Sequence, residues 1–545
     1  MMIRTNLISN LRHKATAYAY STPLYQWTLG GNIPDRLAVV PPDPWPGDAM
    51  AGRLMCQDVF SMHGAQLSAQ DGTFEPKGAN ERWMAHIHGF EWLRDLRALG
   101  GDQGRRQARA MVTAWMDKYD GWCETAWRPD LTGKRIALWI SLHEFFAASA
   151  DETFQTNYLA SLLRQARHLS RALPGNLAGL QLLHGIRGLA YAGLAFEGRE
   201  SWLEQALDLL DHESSKQILG DGGHVSRSPA QLLEAMQIYI DVRSALQAGQ
   251  YPVPEFIQHT IDRMAQALRF LRMPDRQFAL FNGCQEGDAG LMDMVQNIAN
   301  AQGKVMKSLP ESGYERLSAG RSIVMMDVGA APIWPHDDQS HAAPLAFEFI
   351  YGKERVFVSC GSHPIDDDWH DVLRGTAAHN TVSLDYRNAC EIRKDGHFGR
   401  RTRNIQMMRE EKDGATLIDA VHDGYVPMNG ITHRRRLYLS DHGHDLRGEE
   451  TLTCAVGISK PVEVAIRFHL HPRVLISLTR GKQEALLRLP GGAGFTFSHS
   501  GGELMIDNSI YLGSGLRPRK TKQIVVSAKM DTDFAQFKWA LQREG

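Results

Sequence analysis

The sequence predicts an α+β multidomain chain, helical in its N-terminal half and antiparallel β in its C-terminal half. From about residue 80 to residue 275, apolar residues recur at helical spacing in segments of ordinary helix length joined by short loops. From about residue 310 the period falls to two, in short runs separated by Gly, Asp, Asn and Pro. The length of 545 residues exceeds what one hydrophobic core holds, so two or three domains are expected.

Residues 1–50 form a lead-in ending in VVPPDPWPGD, whose prolines cannot continue a helix, so it is read as an extended, packed entry segment. The first twenty residues carry charge and no apolar run of signal-peptide length, and no window approaches a membrane span. The six cysteines show no CxxC and no paired spacing, which predicts free thiols and a cytoplasmic location, with the periplasm as runner-up. A net charge of −2 gives no support for a sequence-independent grip on nucleic acid.

Residues 51–277 are expected to be a helical domain. IHGFEWLRDLRALGG has apolar positions at Ile87, Phe90, Leu93, Leu96 and Leu99 and stops at Gly100 and Gly101. RQARAMVTAWMDKY, GKRIALWISLHEFFAAS and TNYLASLLRQARHLSRAL follow the same style until Pro174, Gly175 and Asn176 break the chain. Four more helical segments lead to residue 275. Such a train closes as antiparallel pairs in a solenoid or a toroid, and the lack of a fixed repeat disfavours a regular solenoid. Residues 278–309, rich in Gly, Asn and Gln, are read as the connection, and residues 310–545 as an antiparallel sandwich or stacked sheets.

The chemistry-bearing residues concentrate in residues 336–385. His341 leads into strand-like sequence, His379 stands in TAAHN just before another strand, and VFVSCG between them ends in Ser359, Cys360 and Gly361. Two antiparallel strands can bring the imidazoles together, and imidazole with an oxygen or sulfur donor is how zinc is held. His341, His379 and Cys360 are therefore candidate zinc ligands, although in a chain with 23 histidines any one histidine is more often a surface or core residue than a ligand. A second candidate is the turn ILGDGGHVSRSPAQLLEAM. It puts His224, Ser226 and Arg227 before a helix opened by Ser228 and Pro229, a place for a carboxylate or sulfate beside a guanidinium and a helix N-terminus.

The order SHAAPLAFEF, VFVSCG, TAAHNTV resembles the heparinase II/III-like family of polysaccharide lyases. That family carries a motif of the type HxHxDxxSF, a VDxG strand end and an AAHN segment. The resemblance implies an incomplete (α/α) toroid followed by a C-terminal antiparallel β-sandwich, and an acidic polysaccharide or oligosaccharide as partner. It also implies a catalytic histidine and a zinc site to which His341 and His379 correspond. Gln339 stands where the motif's first histidine would be, Ala343 where its Asp would be, and Ser359 where the metal-binding Asp would be. In the helical domain the family has a similar DGGH-type turn with an SP step, followed by a catalytic Tyr. This chain has Ala230, Gln231 and Leu232 there. The family's upstream Asn corresponds to Asn176.

The activity implied is β-elimination at a uronate. It needs the carboxylate neutralised, a base for the adjacent proton and an acid for the leaving oxygen. Asn176, His224 and Arg227 are the expected neutralising, substrate-binding groups. His341 and His379 are the expected base and acid, with Tyr239 and Tyr351 as reserve phenols. Two alternatives stand beside the lyase. One is a catalytically degenerate glycan-binding or biosynthetic accessory protein. The other is a toroid glycoside hydrolase using Glu348, also a candidate substrate contact, and the aspartates at 366–368. Residues 127–139, WRPDLTGKRIALW, suit sugar stacking or helix packing alike, and His469 with His471 is a weak metal pair on one strand face.

Overall fold

The computed structural model describes residues 16–69, 74–301, 303, 305–479, 481 and 483–544. Most of the stretch read for a signal peptide lies outside the described residues. The chain divides into two compact units: Met1–Ser215 with Gln237–Thr260, and Lys216–Met236 with Ile261–Gly545. The division differs from the sequence boundary at residue 277. The glycine turn before the SP step belongs with the β strands, because its hydrogen bonds run to residues beyond 300.

The first unit is helical. Its members include Glu81–Gly89, Leu93–Leu99, Gly101–Tyr119, Pro129–Ser141, Glu152–Ala172 and Gly179–Ala195. The segment expected as one helix from His86 is two, because Phe90 takes a left-handed conformation, φ 62°, that ends the first. Helices Pro129–Ser141 and Gly179–Ala195 cross backbone to backbone. A Cβ on Gly188 would stand 2.3 Å from the Cα of Gly133, so only glycine permits this approach. The lead-in is packed, as its prolines suggested: Trp45 Nε1 donates to Asp241 (2.7 Å), and Arg94 and Arg97 both hold Asp43. In residues 127–139 both tryptophans are core, and Arg135 is buried over Trp115, donating to Gln165 and to the His88 and Ala126 carbonyls. That segment is helix packing, not a sugar platform.

The second unit carries the sandwich. An eight-stranded antiparallel sheet forms one layer, ordered in space Leu475–Leu478, Glu484–Arg488, Gly494–Ser500, Phe534–Arg543, Asp445–Cys454, Ile431–Leu439, Ala415–Tyr425, Ile405–Lys412. A four-stranded sheet and a five-stranded sheet form the other. They are joined where Val358 N–H donates to the His469 carbonyl (2.9 Å) and His471 N–H to that of Val356 (3.1 Å). The layers meet through aromatic rings: Phe347 stacks on Trp539 at 5.5 Å, and Phe468 packs edge-on to it at 4.9 Å. Alternation along Ile431–Leu439 turns His433 and Arg435 into this core with the aliphatic residues.

Two further segments hold short helices. Residues 278–309 contain a helix, Ala289–Ala299, capped by Asp288 and buried through Met292, Val295 and Ala299. The aspartates at 366–368, offered above as hydrolase candidates, open a short helix, Asp367–Leu373, whose N-terminus Asp366 caps. Asp337 is buried and paired with His397 and Arg401.

Candidate functional site

Three stretches of the second unit converge on one place: the turn 219–228, the loop 278–285 and the segment 336–341. The turn is closed by Leu219 N–H to the Gly223 carbonyl and Gly222 N–H to that of Leu219, both 2.9 Å. Gly222 has φ +85°, and a Cβ there would stand 2.0 Å from the Arg263 carbonyl oxygen. Gly222→Ala is therefore expected to destabilise the protein by about 1–3 kcal/mol, read as a lowered thermal midpoint. An unchanged midpoint would mean the turn relaxes freely. Asp221 fixes the turn by accepting from the Ser312 N–H and hydroxyl, each 2.7 Å.

Arg227 leaves the turn with φ 62°. Its Nε donates to the Ser312 carbonyl (2.6 Å), and the remaining donors go to the carbonyls of Gly313, Gly329 and Ala330 and to the Asp327 carboxylate. Five N–H groups thus meet five protein acceptors, and the guanidinium lies over the Tyr314 ring. The sequence reading gave this arginine to a substrate carboxylate; the fold gives it to the chain itself. His224 is likewise committed. Its Nδ1 accepts from Ser226, its Nε2–H donates to Gln217, and burial, with His336 nearby, lowers its pKa to about 3.

Asn282 joins the turn to the histidines. Its Nδ2 donates to the Arg227 carbonyl and the Tyr314 hydroxyl, and its Oδ1 accepts the His341 N–H at 3.0 Å. The backbone N–H groups of Asn282 and Gly283 point at the His341 ring nitrogens, at 3.1 and 2.8 Å. A neutral imidazole offers one lone pair, so the shorter contact places it on Nε2. Arg374 frames the segment, donating to the carbonyls of Asp337, Ser340 and Gly396. Sequence reasoning missed both Asn282 and Arg374. The Asn-Gly step at 282–283 was a turn signal that could have pointed to the first; nothing local marks the second.

The structure does bring His341 and His379 together, with ring centroids 4.2 Å apart and planes inclined by 32°. His379 Nε2–H donates to the Leu373 carbonyl (3.0 Å), and its Nδ1 lone pair is buried without a hydrogen-bond partner. Burial pushes the His379 pKa down to about 3, and that of His341 well below the usual imidazole value; His379, Arg374 and His370 lower the latter further. Among the described residues no carboxylate faces the pair to raise its basicity, so both rings are neutral, weak bases.

The zinc expectation finds too few donors. Cys360 Sγ sits 3.5 Å from His469 Nδ1 with Ser509 beyond, its pKa pushed up to about 12 by burial. His469 is spent on Ser509 and the Ala377 carbonyl, and His471 packs edge-on to Tyr511. Among the described residues no three His, Cys, Asp or Glu side chains are grouped to hold a metal ion. The residues present do not fit zinc, because Ala343 and Ser359 occupy the places where carboxylate ligands were expected.

Glu348 is buried and accepts from the Leu280 and Ser359 N–H groups; burial raises its pKa to about 7, against the pull of Arg355. Tyr239 is 0 % exposed, its hydroxyl 3.4 Å from the Leu210 carbonyl, in the first unit. Tyr351 is 1 % exposed and held between the Arg321 and Arg543 guanidiniums. Asn176, also of the first unit, is exposed in the turn after Ala172.

Comparison with known proteins follows the same lines. Residues 71–305 match the family model for the heparinase II/III N-terminus, and residues 301–540 that for the heparinase II/III-like C-terminal domain. FtsZ-localized protein C of Caulobacter vibrioides is 28% identical over 539 residues, 94% of this chain and 91% of that protein. A heparin-sulfate lyase of Bacteroides stercoris is 23% identical over 365 residues, 58% of this chain and 50% of the lyase; the match spans half of that enzyme's length. Among solved structures, heparinase III superposes with TM-score 0.75 at 15% identity, over 98% of this chain and 91% of that one. Heparan sulfate lyase HepC from Pedobacter heparinus superposes with TM-score 0.62 at 16% identity, over 92% and 84%. Both have the toroid-plus-sandwich fold read here. No helix among the described residues is long and apolar enough to cross a membrane.

Proposed function

Since the chain belongs to the heparinase II/III-like family, whose members include polysaccharide lyases, we propose that it binds an acidic glycan on the lyase fold and leaves it uncleaved. The observation that carries this reading is the loss of every phenol offered for proton transfer. Ala230, Gln231 and Leu232 fill the expected tyrosine position, and Tyr239 and Tyr351 are sealed in cores. Without a phenol, elimination would rest on two imidazoles that burial holds neutral and weakly basic. Arg227, the cation expected to neutralise the uronate, has no free donor.

A second reading, a lyase acting on uronate-containing polysaccharide, is favoured by one feature: the unpartnered Nδ1 of His379, stacked on His341. Incubation with heparan sulfate, chondroitin sulfate and polyuronates, followed by the ultraviolet absorbance of the unsaturated product, separates the two. The binding reading expects no product and a measurable affinity for at least one of these chains. Product that disappears in folded His379→Ala and His341→Ala variants would establish the lyase instead. Neither product nor affinity would remove the glycan from the account.

The relative named for its localisation with FtsZ aligns along nearly the whole chain, which supports placing the protein with the division machinery in the cytoplasm. Six unpaired thiols agree with a reducing compartment. A fluorescent fusion spread evenly through dividing cells would withdraw that placement.

A further inference from the structure

The outward face of the eight-stranded sheet carries a concavity of about 680 Å³, within the range of small-ligand pockets. The register of the sheet sets its lining. One cross-strand row runs Leu417, Tyr438, Arg447, Ala540, Ser498 over five successive strands. The row beside it runs Asp419, Arg436, Glu449, Lys538, Ser500. On the other side Asp445, Gln542 and Thr496 are aligned. At the usual strand spacing five strands span roughly 19 Å, the reach of a short oligosaccharide.

We propose that this face is a glycan-binding site separate from the histidine pair, taking an acidic oligosaccharide laid across the strands. His341 and His379 lie at the opposite layer of the sandwich, in the segments leading into Phe347–Tyr351 and Val382–Leu384. The inference rests on the glycan-binding reading for the class of ligand, and on the sheet alone for its place.

Three features separate this surface from an ordinary solvated sheet face. The first is its cations: Arg436, Arg447 and Lys538 line the hollow with the carboxylate of Glu449, while Asp419 and Asp445 stand beside them at its edge. The second is how loosely two of those cations are held. Arg436 stands 3.5 Å from Asp419 and 3.6 Å from Glu449, and Lys538 stands 3.6 Å from Glu449. Arg447 donates from Nε to Asp445 (2.7 Å), but its side chain and that of Lys538 are 59% and 61% exposed, and exposed pairs exchange a protein carboxylate for a ligand's sulfate or carboxylate at little cost. The third is the centre of the row. The small Ala540 leaves the floor open beside the half-buried Tyr438, whose ring offers an apolar flank for sugar C–H groups, while Ser498, Ser500 and Gln542 offer partners for hydroxyls. All of these residues stand on paired strands, which fixes their spacing better than loops would.

The test is calorimetric titration of the full-length protein with a size-defined heparin oligosaccharide, a neutral malto-oligosaccharide and inorganic polyphosphate. Tyr438→Ala, Arg447→Gln and Lys538→Gln are compared with the parent after circular dichroism has shown each to be folded. The expected result is that the acidic oligosaccharide binds the parent, that each variant weakens it at least tenfold, and that the neutral sugar does not bind. If the parent binds and the variants bind equally well, the glycan reading stands and this face is not the site. If the parent binds no acidic sugar, both fail together. Polyphosphate binding as tightly, with no loss in Tyr438→Ala, would show attraction by charge alone and would overturn recognition of a sugar.

Discussion

Arg435→Met is expected to destabilise the fold by about 3–5 kcal/mol, as breaking a buried pair from one side does. Arg435 and Glu450 are both 0 % exposed inside the sandwich. Glu450 also accepts from His433 Nε2 at 2.7 Å and Trp539 Nε1 at 3.0 Å, and Arg435 donates to the carbonyls of Leu345 (2.6 Å) and Asn380 (2.7 Å). Removing the guanidinium strands a carboxylate and two carbonyls in the core, and it unties the segment that carries His379. The Arg435 charge, with His433, now holds the Glu450 pKa down to about 2 against burial. In the variant that carboxyl should take up a proton on folding. Adding Glu450→Gln to Arg435→Met should then recover part of the loss, a non-additivity that urea unfolding of the single and double variants measures. A single variant within about 1 kcal/mol of the parent would show that the core closes without the pair.

Acidification is expected to unfold the protein through its buried imidazoles. Burial holds His224 and His379 at about 3 and His469 at about 4 in the fold, against 6.5 when exposed. The unfolded chain therefore binds protons that the folded chain refuses. The stability these groups contribute is complete above about pH 6.5 and is lost as pH falls toward 3–4. Each contributes a slope of about 1.4 kcal/mol per pH unit, so three together reach about 4 kcal/mol per unit. Glu348 acts with the opposite sign: with its pKa raised to about 7, its contribution is full below about 4.5 and is lost as pH rises through 7. One carboxyl against three imidazoles leaves a net loss on acidification. Thermal midpoints should be flat above about pH 7 and drop steeply by about pH 5.5. Equal midpoints at both values would mean that the imidazoles accept protons inside the fold.

The exchange of helical for alternating periodicity near residue 310 was legible without coordinates, as were the free cysteines, the packed proline-rich entry and the pairing of His341 with His379. Each of these is written locally: apolar spacing decides which face an element buries, and AAHN before a strand announces where its imidazole stands. The roles of Arg227, Glu348 and Tyr239 were not legible. The partners that occupy Arg227 lie 85 to 103 residues away, and those of Asn282 are 32 to 59 residues away. A guanidinium near a glycine turn reads the same whether it faces a ligand or five protein oxygens. Chain order was enough to separate the two architectures and to mark the residues that carry chemistry. Which of those residues keep a free donor or lone pair is settled by packing, because hydrogen-bond commitment and desolvation are set by neighbours distant along the chain.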